Sequence, residues 1–442
     1  MTGHGSSDTR YLLFFFLMII SVGTALLFLP LSWAGPVDSS LSLVDSLFIA
    51  TSAVCVTGLA TVDVANFSRF GHVVILSLIQ IGGLGIISFT SLIMLLPGHR
   101  LPYRRLRTIR GFSIDGVEHN PARIVRNIVL FTLSIETAGA LALFPIFLKA
   151  GVGDSAFTAV FHSVSAFCNA GFSLFSTSME AYNDDPLILG ILSVLIVTGG
   201  IGFIVLQDIE RRLRGKRSSL SDHSRLVLML TGFLIFAGAA AFWFFENDRA
   251  FSGMGFLQKA SNALFQSITP RTAGFNAVPQ VALSQASKFL TIVLMFIGGA
   301  PGSIAGGIKV STAFLVLLVM VRQPNDHGEI NAFKRRLSPG TTGAAVTYFL
   351  RAGLLLLVAT AALSLSEGAR GTSLNRIIFE AVSAFGTVGL SLNLTAGLSI
   401  AGKLILVGTM YAGRVGLVAL ALPAMNWKNE HIVYPEAEVL VG

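Results

Sequence analysis

Four short stretches stand out for what their backbone could do rather than their side chains. They read "SAVCVTGLA" (52–60), "SAFCNAGFS" (165–173), "SITPRTAGF" (267–275) and "SAFGTVGLS" (383–391). Each opens on a Ser (Ser52, Ser165, Ser267, Ser383) and carries a Gly (Gly58, Gly171, Gly274, Gly389) followed by Leu or Phe. Four extended backbones gathered around one axis could replace the water shell of a cation with carbonyl oxygens. Glycine allows the φ values such a loop needs without a Cβ penalty. No ring of Arg or Lys recurs in the tails, since Arg271 occurs once, so an anion is not favoured.

The elements that would position these tails follow from composition and apolar runs. The 442 residues are 53% apolar and 12% charged, with mean hydropathy +0.74. Soluble chains carry about 25% charged residues. This composition predicts an all-α polytopic membrane protein, with full-length helices near 11–30, 71–96, 125–149, 187–207, 225–245, 289–321, 344–365 and 400–422. The first apolar run, Tyr11 to Leu29, lacks a small-residue cleavage site, so no cleaved leader is expected. Between successive pairs lie shorter apolar segments at 42–55, 155–168, 259–270 and 374–386. At about 1.5 Å per residue each is only ~20 Å long, too short for a hydrocarbon core of ~30 Å. Such a segment is tolerated only where protein buries it or it lines an aqueous cavity. Its C-terminal end, the negative end of the helix dipole, would face the tails and favour a cation.

The unit of helix, short pore helix, tail and helix thus recurs four times around one pore. Its boundaries are 11–96, 124–208, 225–321 and 344–423, with a tail at 424–442. A second echo lies in each following helix: "IGGLG" (81–85), "TGGIG" (198–202), "IGGAPG" (297–302) and "YAGRVG" (411–416). Small residues in membrane helices commonly serve close helix packing, and the echo is read that way.

Basic residues cluster in three linkers: "RLPYRRLRTIRGF" (100–112) with Arg123 and Arg126, "RRLRGKR" (211–217) with Arg225, and Arg322 with Lys334, Arg335, Arg336 and Arg351. By the positive-inside rule these linkers and both termini are cytoplasmic. Topogenesis accounts for the linkers, and a docking surface for a cytosolic partner is compatible with them. The net charge of +8 therefore needs no nucleic acid to explain it.

The third unit breaks the pattern. "GGAPGSIAGGIKVST", Gly298 to Thr312, cannot continue a straight helix through its glycines and Pro301. It should unwind just below the tails, either lining a cavity or as a packing kink. A phosphate loop is excluded, because the G-x4-G-K-[ST] spacing is missed and no strand precedes it. Arg414 lies mid-helix, where a charge is costly and usually functional; carbonyls of the unwound loop are its expected partners. Lys309 could pair with a carboxylate or snorkel to the inner surface. Glu136, inside the second unit's first helix, reads as a helix–helix hydrogen bond. Cys55 and Cys168 have no metal-like spacing and read as small-residue packing. No His/Cys metal pattern, G-x-S-x-G elbow or paired carboxylates at membrane depth supports an enzyme.

The four-unit plan resembles the Trk/Ktr/HKT superfamily of potassium transporters over nearly the whole chain. With eight spans and a closing "YPEAEVLVG" (434–442), it is most similar to the Ktr-type membrane subunit. The resemblance implies a selectivity filter built of Val56, Thr57 and Gly58, of Asn169, Ala170 and Gly171, of Thr272, Ala273 and Gly274, and of Thr387, Val388 and Gly389. Only the fourth triplet approaches Thr-Val-Gly, so fewer ion sites are expected than in a potassium channel. Sodium-selective plant relatives carry Ser at the first Gly; Gly58 favours potassium. The resemblance makes the unwound segment an intramembrane gate formed by Gly298, Gly299, Gly302, Ser303, Gly306, Gly307 and Lys309, with Arg414 as barrier and latch. It further implies potassium as substrate, sodium as an optional activator and no cofactor on this chain. The implied partners are a second copy of the chain, held in part by 426–442, membrane lipid, and a cytosolic ring subunit (KtrA/TrkA-like) binding NAD(H) or ATP/ADP. The implied location is the cytoplasmic, inner membrane. A sodium-permeable or non-selective cation channel working without a regulatory subunit stays open.

Overall fold

A computed structural model of the chain describes residues 4–35, 41–95, 121–215, 218–322, 330–332, 335–337 and 339–416. The basic stretch at 100–112, Lys216, Arg217, Lys334 and the C-terminal tail at 424–442 lie outside the described residues.

Four times along the chain a helix is followed by a shorter helix, an extended tail and another helix. The first unit comprises α1 (His4–Phe28), α2 (Leu43–Val54) and α3 (Arg69–Leu95). The second comprises α4 (Pro121–Lys149), α5 (Ser155–Phe167), α6 (Pro186–Gly200) and α7 (Phe203–Leu213). The third holds α8 (Asp222–Glu246), α9 (Phe256–Ile268), α10 (Gln285–Phe296) and α11 (Val310–Val321). The fourth holds α12 (Pro339–Glu367), α13 (Leu374–Gly386) and α14 (Ile400–Tyr411), which runs into a π turn at Ala412–Gly416. One departure from an all-α chain is a small antiparallel hairpin, Ile330–Ala332 with Arg335–Leu337, in the linker between the third and fourth units.

Helix starts are written locally. Ser42, Ser221, Ser284 and Ser399 accept the N–H three residues on and so cap α2, α8, α10 and α14. Asp185 caps α6, with Pro186 as first residue. The four shorter helices, α2, α5, α9 and α13, have 12 or 13 residues. Their C-terminal halves are buried among the other helices.

Among the described residues three helices are long and apolar enough to cross a membrane: Arg123–Lys149, Asp222–Glu246 and Gly340–Arg370. The apolar parts of α1 and α3, Leu12–Phe28 and Arg69–Gly85, are shorter. The straight span expected at 187–207 is corrected: α6 and α7 meet at a bend of 102° at Ile201–Gly202. Gly202 sits there at φ +88°, and the 298–309 loop packs into the bend. In the third unit the second helix is interrupted from Ile297 to Lys309, where the glycines and Pro301 foretold it.

Adjacent units are tied in a closed cycle by one recurring contact. The start of each second helix, or the turn leading into it, meets the next unit's short helix or its cap. Arg69 pairs with Asp154 at 2.8 Å, and Asn262 Nδ2 donates to Asn183 O at 2.7 Å. Asn375 Nδ2 donates to Gln285 Oε1 at 2.9 Å, and Lys403 Nζ pairs with Asp45 Oδ1 at 2.7 Å. The last contact joins the fourth unit back to the first, so the chain closes on itself.

The second echo does pack closely. A Cβ built on Gly82, Gly199 or Gly413 would overlap the carbonyl oxygen of Val54, Phe167 or Phe385, at the end of its own unit's short helix. Gly199→Val is expected to lower the thermal unfolding midpoint of the detergent-purified protein, with an overpacking cost of about 1–3 kcal/mol. Gly190→Val, on the same helix with nothing within 4 Å of its Cβ position, should leave the midpoint in place.

Candidate functional site

The four tails meet. A methyl built on Gly58 would overlap the carbonyl oxygen of Ala170 and lie 3.1 Å from Gly171 Cα. One built on Gly171 would lie 2.7 Å from Ala273 O and 3.1 Å from Gly274 Cα. One on Gly274 would overlap Val388 O and approach Gly389 Cα at 3.2 Å. One on Gly389 would overlap Thr57 O and approach Gly58 Cα at 3.1 Å. The contacts run 58 to 171 to 274 to 389 and back to 58, a ring in which each tail touches the next. All four glycines have positive φ, from +69° to +98°. A Cβ is thus excluded twice, by backbone conformation and by the neighbouring tail.

Two residues before each Gly the φ is again positive: Val56 +56°, Asn169 +55°, Thr272 +76° and Thr387 +51°. Left-handed backbone is rare for a non-Gly residue, and four at equivalent places mark a constrained site. Among the described residues no group donates a hydrogen bond to the carbonyl oxygens of 56–58, 169–171, 272–274 or 387–389. The hydroxyls of Thr57, Thr272 and Thr387 are buried without a partner as well. The Asn169 carboxamide is turned away toward Ala166 O and Ile196 O; with its amide oriented to satisfy both, the nitrogen donates to them at 3.1 and 3.2 Å. An oxygen-rich cage whose carbonyls receive no hydrogen bond, lying at the negative ends of four short helices, suits a hard, weakly hydrated cation and disfavours an anion.

Each tail is held from behind by the end of its short helix. Thr57 N, Ala170 N and Val388 N donate to Ser52 O, Ser165 O and Ser383 O at 2.7, 2.7 and 2.9 Å. The same serine side chains reach further along the tails. Ser52 Oγ accepts Gly58 N (3.0 Å), Ser383 Oγ accepts Gly389 N (3.1 Å), and Ser165 Oγ donates to Phe172 O (2.7 Å). In the third unit the sequence alignment on Ser267 is corrected. Thr269 O accepts Ala273 N and Thr269 Oγ1 donates to Phe275 O (2.7 Å). Ser267 Oγ instead donates to Ile235 O of α8 (2.8 Å), matching Ser163 Oγ, which donates to Glu136 O of α4 (2.6 Å). The third tail is one residue shorter than the second, and Pro270 and Arg271 in its turn hid this slip. Thr and Ser carry the same hydroxyl, so Thr269 was the available signal.

Beneath the ring lies the interrupted stretch of the third unit. Gly298 N donates to Ile308 O (2.9 Å) and Val310 N to Gly299 O (3.0 Å), closing the loop on itself. Ala300 N donates to Gly200 O (2.9 Å), and Gly302 O accepts Phe203 N (3.1 Å), seating it in the bend between α6 and α7. Ser303 Oγ donates to Ala300 O (2.6 Å). On the other side, a Cβ on Gly306 would overlap Thr387 Oγ1, so this residue lies against the foot of the fourth tail. Gly302 and Gly307 have positive φ. Arg414, on the π turn, donates to Ile304 O from one guanidinium nitrogen and to Gly82 O (3.3 Å) from the other. The loop carbonyl expected as its partner is therefore present, and the first unit shares it. Lys309 is a correction: its Nζ donates to Ala305 O within the same loop, neither to a carboxylate nor outward. A loop that folds tightly enough offers a carbonyl four residues back, a geometry that sequence spacing does not reveal.

A family model described as TrkH, a cation transport protein, matches residues 15–431. The chain belongs to that family. Within it, the Ktr system potassium uptake protein B of Vibrio alginolyticus is 37% identical over 98% of this chain and 95% of its own length. The Bacillus subtilis protein of the same description is 35% identical, over 97% and 95%. The potassium/sodium uptake protein NtpJ of Enterococcus hirae is also 35% identical over 97% and 95%. The crystal structure of the potassium transporter TrkH from Vibrio parahaemolyticus superposes with a TM-score of 0.73, over 96% of this chain and 85% of that one, at 21% identity. This TrkH-family chain thus shares its fold with a solved member.

In this family member, Glu136 proves to be the helix–helix tie expected of it. Its Oε2 accepts Gln80 Nε2 of α3 at 3.0 Å. Cys168 Sγ lies 3.7 Å from Glu136 Oε1 and is where a Gly83 Cβ would press at 2.9 Å. Cys55 and Cys168 are fully buried at the ends of α2 and α5, in the small-residue role read from sequence. The Thr269 register is testable. Thr269→Val is expected to destabilise the purified protein by roughly 1–3 kcal/mol through the unpaired Phe275 carbonyl, read as a lower thermal midpoint, whereas Thr269→Ser should hold close to the parent.

Proposed function

We propose that the protein takes up potassium across the cytoplasmic membrane through the ring of four tails, which acts as its selectivity filter. The observation that carries this reading is the closed ring of tails whose carbonyls receive no hydrogen bond from any of the described residues. Buried carbonyls without donors are rare in proteins, and a dehydrated cation satisfies several at once. The three similar relatives, named as potassium or potassium/sodium uptake proteins, support the choice of ion. The eight-span, four-repeat arrangement and the cytoplasmic termini belong to the same proposal, with the basic linkers as their support. Flux is passive: at about 2.3 kcal/mol per 100 mV per charge, the membrane potential sustains roughly fiftyfold accumulation per 100 mV.

The gate is the 298–309 loop. It lies under the ring and is latched by Arg414, whose charge opposes a cation at that depth. Moving Arg414 off Ile304 and Gly82 frees the loop. The trigger on this reading is a cytosolic nucleotide-binding ring subunit, and the membrane unit is a homodimer; the similarity to Ktr system proteins supports both. Sodium as an activator remains part of the family reading, with no residue set in the ring assigned to it.

A second reading also has an observation behind it. Three of the four tails depart from Thr-Val-Gly, and one relative is named for potassium and sodium together. A filter of this kind would pass both ions and need no regulatory subunit.

Growth and rubidium uptake at limiting potassium, in bacteria stripped of their own uptake systems, separate these readings. The chain co-expressed with a nucleotide-binding ring subunit should restore both. Gly58→Ser, which sets a side chain against Ala170 O at φ +90°, should abolish rubidium uptake or turn it sodium-permeable. Absence of rescue with the protein in the membrane rules out potassium uptake, and equal sodium and rubidium uptake without a partner supports the second reading. Arg414→Ala should raise rubidium uptake in the absence of the partner, roughly tenfold if the latch is worth one buried charge-assisted hydrogen bond; unchanged or lower uptake would remove Arg414 from the gate.

A further inference from the structure

The ties that correct the third tail also set the register of the four short helices. Ser52, Ser165, Thr269 and Ser383 are equivalent. Three residues before them stand Ile49, His162, Gln266 and Glu380, each fully buried one turn behind the ring. Neither the filter nor the gate as described uses these positions.

Two of them carry the same device. Ser173, two residues past Gly171, accepts Phe175 N at 3.0 Å, and its hydroxyl meets His162 Nε2 at 2.9 Å. His162 Nδ1 faces Thr158 O at 2.8 Å. A carbonyl only accepts, so Nδ1 carries the proton, Nε2 is the acceptor and the Ser173 hydroxyl donates to it. Ser391, two residues past Gly389, accepts Leu394 N at 3.2 Å and donates to Glu380 Oε2 at 2.8 Å. Thr395 Oγ1 donates to the other carboxylate oxygen, Glu380 Oε1. In both units a backbone N–H, a serine hydroxyl and an acceptor on the short helix form one chain of hydrogen bonds. The segment leaving the ring is thereby pinned to the helix that enters it.

The other two units differ. Gln266 Nε2 donates to Gln280 Oε1 at 2.9 Å, and Gln280 Nε2 donates to Val278 O at 3.1 Å, an amide version of the tie. Ile49 has no polar group at all. The fold therefore accepts a hydrocarbon at this position, and burying a polar group there without a network would be costly. The polar residues are retained for the segments they hold. Gly171 and Gly389 are not neighbours in the ring, so the His162 and Glu380 pins stand on opposite sides of its axis.

We propose that His162 and Glu380 are positioning residues for ion discrimination, pinning opposite sides of the outer mouth so that the ring cannot close down onto the smaller sodium ion. This rests on the reading of the ring as a filter. Removing one pin leaves the hydroxyl of Ser391 or of Ser173 without its acceptor and frees one wall, Thr395 Oγ1 keeping only Ser391 Oγ at 3.1 Å.

The test is paired rubidium and sodium uptake in bacteria lacking their own potassium uptake, expressing the full chain with its ring-subunit partner. His162→Leu and Glu380→Leu should each raise the sodium-to-rubidium uptake ratio, by roughly tenfold for a lost buried hydrogen-bond network, with a higher KM for rubidium and a smaller change in maximal rate. His162→Gln and Glu380→Gln, which restore an acceptor oxygen, should bring the ratio back toward the parent. Ile49→Leu should not move it. Ser173→Ala and Ser391→Ala remove the donor instead and should shift the ratio in the same direction, even where a Leu variant fails to reach the membrane. Leu and Ala variants that reach the membrane with the parental ratio overturn the proposal, whether or not their maximal rate falls. A parent chain that takes up no rubidium instead overturns the filter reading on which the proposal stands.

Discussion

A carbonyl oxygen buried without a donor costs free energy wherever it occurs, and among the described residues the carbonyls of all four tails have none, in a ring where each tail touches the next. The surrounding structure is the means of holding them there. The short helices stop where they do because their last turns must deliver the tails. The positive φ at Val56, Asn169, Thr272 and Thr387, and at the glycines two residues on, gives all four tails the same sharp turn. Serine and threonine hydroxyls satisfy the carbonyls and amides that are not meant to be free, such as those of Phe172 and Phe275. The cycle of contacts between neighbouring units, from Arg69–Asp154 round to Lys403–Asp45, closes the outer rim and fixes which tail lies next to which.

The loop beneath the ring is under the opposite constraint. Its backbone is irregular and buried, so most of its polar groups must find partners. It does so by borrowing from two of the other units: Gly199, Gly200 and Phe203 of the second, and Arg414 of the fourth, which itself also reaches Gly82 of the first. Those bonds are replaceable by water. On the proposed reading, a segment held by hydrogen bonds to its neighbours, rather than by continuation of a helix, is the part of the chain that would move as a gate.

Much of this was legible in the sequence because it rests on length and on glycine. A run of 12 or 13 apolar residues between longer ones is visible as such, and Gly58, Gly171, Gly274 and Gly389 mark the ring because no other residue fits both its φ and its neighbour. The broken helix at 297–309 announced itself through Pro301 and its glycines. Other features depend on tertiary geometry. The 102° bend at Gly202 belongs to a helix whose own sequence reads as continuous, and only the loop seated in it explains the turn. The slip that makes Thr269, not Ser267, the tie of the third tail needed the Phe275 contact. Lys309 found a carbonyl four residues back because the loop doubles over. The equivalence of Ile49, His162, Gln266 and Glu380 followed only once the register was corrected, since their side chains share nothing but position.

The central claim is that the ring binds a dehydrated monovalent cation through backbone oxygens, and it can be observed directly. Crystals of the detergent-purified protein grown in rubidium and measured at the rubidium absorption edge would show anomalous density. The account predicts a peak on the ring axis, surrounded by carbonyl oxygens of all four tails, that disappears when sodium replaces rubidium. Rubidium bound elsewhere, with the ring carbonyls hydrogen-bonded to water or to the protein, would contradict it.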